Sequence, residues 1–210
     1  MAVIWGVAAA IYIAFLGWYH NWRGKVTGQE IDAFLADARA HGSDQHNDLG
    51  IVEKFLREDD GREFFMLNLV KVQPGDAPDP VTGKPTPGRT LLNRYTSPFM
   101  RRLFLHGGHP ALAARPAGGY VDAWNAAPDP GWTIVGYMRY RSRRDMMELA
   151  GDPRFRAIHV FKMAGTHTTF SFPTRPIIMT LMGPRIYVGL ILALIAALAS
   201  LAVLTLEITW

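Results

Sequence analysis

The most apolar residues of the chain are gathered at its two ends, and the charged residues lie between them. Neither the stretch Ala2–Tyr19 nor the stretch 186–206 contains Asp, Glu, Lys or Arg. At a rise of about 1.5 Å per residue, each stretch is just long enough to cross a hydrocarbon core of about 30 Å. The pattern therefore predicts one transmembrane helix within residues 1–22 and a second within residues 184–210.

The residues that flank these stretches support this interpretation. Trp18, Tyr19 and Trp22 end the first stretch, and Trp210 follows the second, as in the aromatic belts of membrane proteins. The alternative for the first stretch is a cleaved signal peptide, which has basic residues before the apolar run and small residues at its cleavage site. No Lys or Arg precedes this run and its exit is bulky, so a membrane anchor is favoured.

Basic residues adjoin both stretches on the side of the central region. Arg23 and Lys25 follow the first stretch, and Arg175 and Arg185 precede the second. Membrane proteins keep an excess of Lys and Arg in their cytoplasmic loops. We therefore expect an integral, two-pass membrane protein with its central domain in the cytoplasm and both termini on the opposite side.

Each predicted membrane helix carries small residues at a spacing of four. Such stripes let helix backbones approach closely where no hydrophobic effect drives association. The abundance of Ala and Gly in membrane helices also produces such stripes, and for a single stripe both explanations stay open. Two stripes in one chain favour packing within the chain or against other membrane helices. The predicted packing residues are Gly6, Ala10, Ala14, Gly189, Ala193 and Ala197.

The central region opens with a predicted helical extension at residues 23–61. Thr27 and Glu30 form a capping-box pattern ahead of apolar residues with helical spacing, which predicts a helix over residues 28–40. A second amphipathic helix is predicted over residues 49–59.

Residues 62–175 are predicted to form an α+β domain with the ferredoxin-like order βαββαβ. The first strand is a nearly continuous apolar run, as expected of a strand covered on both faces. The segment 73–89 is rich in Pro and Gly and is predicted to be irregular. The predicted elements are a strand at 63–72, a helix from 97 to 107, strands at 120–124 and 132–141, a helix from 142 that restarts at 153 and ends at 165, and a strand at 166–172.

Several segments of this domain resemble the dimeric α/β-barrel superfamily, and more narrowly one of its families of uncharacterised domains. They are the run 64–70, the helix from Tyr95 to the sequence His106-Gly107-Gly108, the strand 131–135, and the sequence 140–142 leading into 153–155. The resemblance covers about half of the chain and concerns fold rather than chemistry. It implies that two sheets pair face to face into a barrel, with a pocket between sheet and helices.

The superfamily includes haem-degrading and cofactor-free monooxygenases, isomerases, dehalogenases and members without a known activity, so the resemblance implies no single reaction. This chain departs from it in its two membrane helices, its helical extension and its Pro-rich loop. Those departures favour a subunit of a larger membrane assembly.

The amino-acid composition excludes several kinds of catalytic and metal site. The chain has no cysteine, which excludes disulfides, thiolate catalysis and Cys-based metal sites. The chain has a net charge of +4, and its central region carries +5 because the terminal segments contribute only Glu207. This basic excess suits an anionic membrane surface better than nucleic acid, because no nucleic-acid recognition motif accompanies it. The sequence does not identify a cofactor.

The candidate site residues are few. His106 and His109 flank a double glycine and could share a metal ion, but a turn with surface histidines is favoured and no metal is predicted. Asp122 could act as a general base near a pocket, although a turn carboxylate is the commoner explanation. Asn68, Trp124 and His159 are candidates for lining a pocket or binding a ligand, each beside a purely structural explanation.

Four arginines, at positions 139, 141, 143 and 144, cluster at the end of a predicted strand. They either bind an anion or form a solvated face, and the solvated face is favoured. Two functions follow as hypotheses. The first is an accessory or assembly subunit of a membrane protein complex, with other membrane subunits or a second copy as partners. The alternative is a membrane-tethered oxygenase or isomerase acting on an apolar substrate, with His106, His109 and Asp122 near its pocket.

Overall fold

A computed structural model of the protein describes residues 1–43 and 46–208. The chain divides into two compact units, one made of Met1–Trp22 with Ile177–Trp210 and the other of Arg23–Pro176. The predicted helical extension thus belongs to the same unit as the predicted α+β domain. Trp210, the predicted end of the second membrane helix, lies outside the described residues.

The helices and strands follow one another in a mixed α+β order. In the described part of the chain they are α1 (Ala2–Tyr19), α2 (Gly28–Ala40), α3 (Leu49–Arg57), β1 (Phe64–Val72), β2 (Asp76–Pro78), β3 (Pro85–Pro87), α4 (Gly88–Leu105), β4 (His109–Ala114), β5 (Ile134–Tyr140), α5 (Arg143–Gly151), α6 (Pro153–Gly165), β6 (Thr166–Thr174) and α7 (Pro184–Ile208).

Helices α1 and α7, at the two ends of the chain, are long and apolar enough to cross a membrane. Only 6% of the residues in the apolar window of α1 and 11% of those in the window of α7 are buried. A core helix of a globular domain buries far more of its apolar surface. The low burial and the apolar composition of these two helices are consistent with membrane spans.

Within this unit, α1 and α7 pack against each other. The hydroxyl of Tyr12 donates a hydrogen bond to the carbonyl oxygen of Arg185 at 2.7 Å. The guanidinium of Arg185 lies 5.2 Å from the ring centroid of Tyr19. The end of α1 thus lies beside the start of α7, and the helices are antiparallel.

In the second unit, α2 and α3 pack onto α5. The capping box predicted at Thr27 and Glu30 is present, and α2 begins and ends where the sequence predicts. Helix α3 is capped by Asp48 and ends at Arg57, two residues before its predicted end. The apolar cluster that joins the three helices consists of Val26, Ile31, Leu35, Leu56 and Met147.

The main sheet has four antiparallel strands in the order β4-β5-β1-β6. Helix α4 lies in the connection from β1 to β4, and α5 and α6 lie in the connection from β5 to β6. Helices α4 and α6 approach each other very closely at Gly165, where an added Cβ would be 2.5 Å from the backbone nitrogen of Leu92.

One face of this sheet packs on the helices. Phe64 of β1 and Tyr140 of β5 are cross-strand neighbours with stacked rings 5.2 Å apart. Both are buried in a cluster with Leu103 of α4 and Leu149 of α5. Because strand side chains alternate between faces, this contact fixes the even-numbered residues of β1 on the helix side and the odd-numbered ones on the opposite side.

Three sequence predictions are wrong. The strand expected at 120–124 is absent, and the second strand of the main sheet is β4, which begins directly after the turn at Gly107. The Pro-rich segment 73–89 is not wholly irregular, because β2 and β3 form a small hairpin there. Helix α4 begins at Gly88 rather than at residue 97, and Pro98 lies inside it.

Candidate functional site

The face of the main sheet opposite the helices is apolar and open. Cross-strand register places Leu67 of β1 between Tyr137 of β5 and Phe172 of β6, and Leu69 between Val135 and Phe170. All of these side chains are exposed or half-exposed. We call the set Leu67, Leu69, Leu112, Val135, Tyr137, Phe170 and Phe172 the open face.

The pattern of β6 explains how this face arises. Phe170 and Phe172 alternate with Thr169 and Ser171, so that the two rings project to one side of the sheet and the two hydroxyls to the other. The rings are 44% and 45% exposed, and Leu112 on the edge strand β4 is 49% exposed. Contiguous exposed apolar patches are typical of interaction sites in proteins.

A shallow cavity of about 500 Å³ adjoins one end of the open face. Leu69 and Val135 form its floor, and Trp132 and Tyr120 line it from the loop that precedes β5. The indole of Trp132 donates a hydrogen bond to the Tyr120 hydroxyl at 2.9 Å, and it meets the ring of Phe170 edge-on. The cavity is therefore an extension of the same apolar surface.

Residues 115–133 between β4 and β5 form neither helix nor strand. Asp129 organises this loop by accepting hydrogen bonds from the backbone N–H groups of Tyr120 and Gly131. Asp122 and Trp124, expected on a strand facing a pocket, lie instead in this loop and are exposed, Trp124 to 89%. Neither lines the cavity described above.

His106 ends α4 and lies near two carboxylates. His106, Asp145 and Glu148 each offer one ligand atom, and these three atoms lie within 4.8 Å of one another. Among the described residues, this is the group whose spacing would suit a metal ion. It includes neither His109 nor Asp122. The cluster is already charge-balanced, since Arg141 binds Asp145 through two nitrogens and Arg23 donates to Glu148.

His109 is half-buried on β4, opposite Arg139 of β5. Burial, with the nearby Arg139 guanidinium, lowers the pKa of the His109 imidazole below its ordinary value. The neutral ring therefore predominates near neutral pH. The alternative that the sequence did not favour, a metal ion shared by His106 and His109, finds no support, because His109 is not part of the cluster around His106.

His159 lies on α6 with its ring 6.0 Å from the ring of Tyr95 on α4. Burial and the neighbouring Lys162 lower the pKa of His159. Burial also lowers the pKa of Lys162, whose Nζ lies 5.7 Å from the Tyr95 ring centroid, and raises the pKa of Tyr95. Sequence reasoning did not single out Tyr95 and Lys162 as neighbours of His159, although i,i+3 spacing on one helix links His159 to Lys162.

Asn68 lies in the middle of β1 on the helix side of the sheet. Its amide nitrogen donates to the Met66 carbonyl oxygen at 2.9 Å, and its amide oxygen accepts from the Ser171 hydroxyl at 2.7 Å. The side chain thus ties β1 to β6, which is the structural explanation that the sequence left open for this residue.

The four clustered arginines each bind a carboxylate. The pairs are Arg139 with Glu63, Arg141 with Asp145, Arg143 with Asp59 and Arg144 with Glu30. Side chains 139, 143 and 144 are at most 7% exposed, so the favoured interpretation of a solvated face is wrong. Their guanidinium groups form ion pairs with carboxylates of the helical extension and the strand ends, and so do not form a free anion site.

The small-residue stripes of α1 and α7 face away from the α1–α7 contact, except at Gly189. Gly6, Ala10 and Ala14 are exposed on α1, and so are Ala193 and Ala197 on α7. The contact itself uses another face of each helix. The buried or half-buried positions are Ile4, Ala8, Tyr12, Phe15, Leu16 and Tyr19 on α1 and Pro184, Tyr187, Val188, Gly189, Leu192, Ala196, Ala199, Ser200 and Val203 on α7.

Comparisons with known proteins add evidence on the fold. No family model and no curated protein sequence matches the chain. A crystal structure of RPA0582, a protein of unknown function from Rhodopseudomonas palustris, is similar with a TM-score of 0.54 and 19% identity, over 63% of this chain and 96% of that one. Its methylated form is similar with a TM-score of 0.55 and 19% identity, over 64% and 95%.

The protein At3g17210 from Arabidopsis thaliana is a weaker match, with a TM-score of 0.34 and 14% identity over 56% of this chain and 99% of that one. At these identities the likeness to the bacterial structures concerns the fold alone. It fits the resemblance to a family of uncharacterised domains.

Proposed function

We propose that this chain is a two-pass membrane protein that acts as an accessory or assembly subunit of a membrane protein complex. The observation that carries the proposal is the open face of the sheet. Seven apolar or aromatic side chains project from four strands, and three of them are nearly half exposed. Covering such a face removes apolar surface from water, at about 25 cal/mol per Å², and so favours association.

The occupant that we propose for this face is the same face of a second copy. The sheet order β4-β5-β1-β6 puts the first and third main strands at the centre, as a ferredoxin-like βαββαβ domain requires. The resemblance to the dimeric α/β-barrel superfamily implies sheets that pair face to face, and the alternation of apolar residues along β6 supports such a pairing. The central domain then faces the cytoplasm, as the flanking basic residues suggest.

The exposed stripes of α1 and α7 supply the second part of the proposal. Their small side chains leave grooves on the surface of the helix pair into which another membrane helix fits closely. Because the α1–α7 contact does not use most of them, they remain accessible to a partner. The helices therefore join the chain to other membrane subunits, and the sheet joins two copies.

The alternative is a membrane-tethered oxygenase or isomerase of the dimeric α/β-barrel type. The neighbourhood of His159, Tyr95 and Lys162 favours it most, because two bases with lowered pKa values lie between α4 and α6. Against it, the exposed position of Asp122 and the charge-balanced surroundings of His106 separate the residues that the sequence suggested for catalysis.

The test is gentle extraction of the full chain from its native membrane, followed by native mass spectrometry. We expect a species that contains two copies of this chain together with other membrane subunits. Two copies alone, with the extra mass of a bound small molecule, would favour the enzyme. A single copy would contradict the pairing of the sheets.

A matched pair of variants locates the contact. Phe172→Lys places a charge on the open face, at its edge strand β6, and Met163→Lys places one on the exposed surface of α6, where the side chain is 48% exposed. We expect the first variant to lose the second copy and the second variant to retain it.

A further inference from the structure

The segment that leads into α7 is an unusually apolar piece of exposed chain. Ile177 is 99% exposed and Ile178 is 87% exposed. Met179, Leu181 and Met182 are between 42% and 54% exposed. Residues 177–182 form neither helix nor strand, and none of them is charged. Five large apolar side chains on a short irregular segment form a surface that water does not favour.

The position of this segment is set by the helix pair of its own unit. The contacts of Arg185 with Tyr12 and Tyr19 bring the end of α1 level with the start of α7. Trp18 and Trp22, 49% and 75% exposed, mark the same end of the pair. Tryptophan at the end of an apolar helix favours the boundary between headgroups and acyl chains, and an arginine beside it favours the headgroups.

The backbone of the segment rules out the centre of the bilayer. Outside helices and barrels, N–H and C=O groups in hydrocarbon stay unsatisfied at a cost of several kcal/mol each. At the depth of the headgroups, lipid oxygens and water satisfy them while the side chains reach the acyl chains. Exposed apolar side chains on an irregular backbone therefore fit the interface and neither bulk water nor the hydrocarbon core.

We propose that residues 177–182 form an interfacial strap, which lies along the bilayer surface on the side of the central domain and buries its apolar side chains among the lipids. The partner is the lipid bilayer. The strap widens the anchor at this end of the helix pair. This inference rests on the two-pass arrangement proposed above.

The absence of cysteine from the chain makes the test direct. Three single-cysteine variants of the full chain are each labelled with one fluorophore and placed in nanodiscs. They are Ile178→Cys, Leu194→Cys in the middle of α7, and Val81→Cys in the β2–β3 hairpin. Fluorescence is quenched in turn by iodide in the water, by lipids with a nitroxide on the headgroup, and by lipids with a nitroxide near the bilayer centre.

We expect the label at position 178 to be quenched most by the headgroup nitroxide, as for a side chain about 5–10 Å below the surface. The label at 194 should respond to the central nitroxide and the label at 81 to iodide. Iodide quenching at 178 equal to that at 81 overturns the strap, and so does protection from all three quenchers, which means that protein covers it. Iodide quenching at 194 instead overturns the two-pass arrangement itself.

Discussion

Gly189 of α7 lies against the ring of Tyr12 of α1, so close that an added Cβ would be 3.1 Å from Cζ of the ring and 3.2 Å from its hydroxyl oxygen. The hydroxyl of the same Tyr12 donates a hydrogen bond to the backbone carbonyl oxygen of Arg185, one turn earlier on α7. A glycine at this position therefore lets an aromatic side chain insert between the two helices. At this contact a small residue of α7 packs against a large one of α1.

Gly189→Leu should therefore weaken the α1–α7 pair. The larger side chain must displace the Tyr12 ring, and overpacking of this kind costs about 1–3 kcal/mol. The measurement is the efficiency of cross-linking between one cysteine introduced in α1 and one in α7, in nanodiscs. Ala193→Leu adds the same bulk on the exposed side and should leave the cross-linking unchanged. Equal loss in both variants would contradict the packing.

Arg144 carries a second prediction, on stability. Its side chain is 5% exposed, and it donates to Glu30 and to the carbonyl oxygen of Lys25, 2.5 Å away. Arg144→Met should lower the free energy of unfolding by about 3 kcal/mol, at the low end for a broken buried pair because Glu30 keeps some contact with water. Urea unfolding in mild detergent measures this. Arg154→Met removes an arginine that is 78% exposed and should cost less than about 1 kcal/mol.

Glu30 should make the domain sensitive to acid. The hydrogen bond from Arg144, aided by the backbone N–H of Thr27, lowers the pKa of Glu30 from 4.5 to about 2. Because folding lowers this pKa, the ionised carboxylate stabilises the folded state fully above pH 4.5, and the stabilisation is lost as the pH falls towards about 2. Thermal unfolding of Glu30→Gln should depend less on pH in this range than that of the wild type. Glu58→Gln, at an exposed carboxylate, should follow the wild type.

Gly165 should tolerate no side chain. An added Cβ there would lie 2.5 Å from the nitrogen of Leu92 and 2.8 Å from the carbonyl oxygen of Gly88, both in the backbone of α4. Gly165→Ala must push α4 and α6 apart and should destabilise the domain by about 1–3 kcal/mol. Gly118→Ala, where nothing lies within 4 Å, is the control. A Gly165→Ala variant as stable as this control would show that the helices do not meet as described.

Elements set by local signals could be predicted from the sequence, and elements set by distant pairing could not. Helix α2 was predicted to the residue because its capping box, Thr27 to Glu30, is contained in the sequence around it. Strand β4 was missed because its sequence, His109–Ala114, is poor in β-branched residues and its place depends on pairing with β5. The run at 120–124 has better strand residues but no neighbour to pair with.

The same distinction applies to the candidate site. The alternation of Phe with Thr and Ser along β6 is readable in the sequence, but which face the helices leave open depends on where Phe64 and Tyr140 pack. The carboxylate partner of Arg144 could not be predicted from the sequence, because Glu30 lies 114 residues before Arg144. Small residues at a spacing of four identified stripes on α1 and α7, yet the helix pair formed through a neighbouring face.

The pairing of the open face is tested most directly by one labelling measurement. Phe172→Cys lies on the open face and Met163→Cys on the surface of α6, and the two side chains are about equally exposed in a single chain, 45% and 48%. The measurement is the rate of maleimide labelling of each variant in the native membrane. The account predicts that the cysteine at 172 is labelled far more slowly than the one at 163, because a second sheet covers it. Equal labelling rates would contradict the assembly of two sheets through this face.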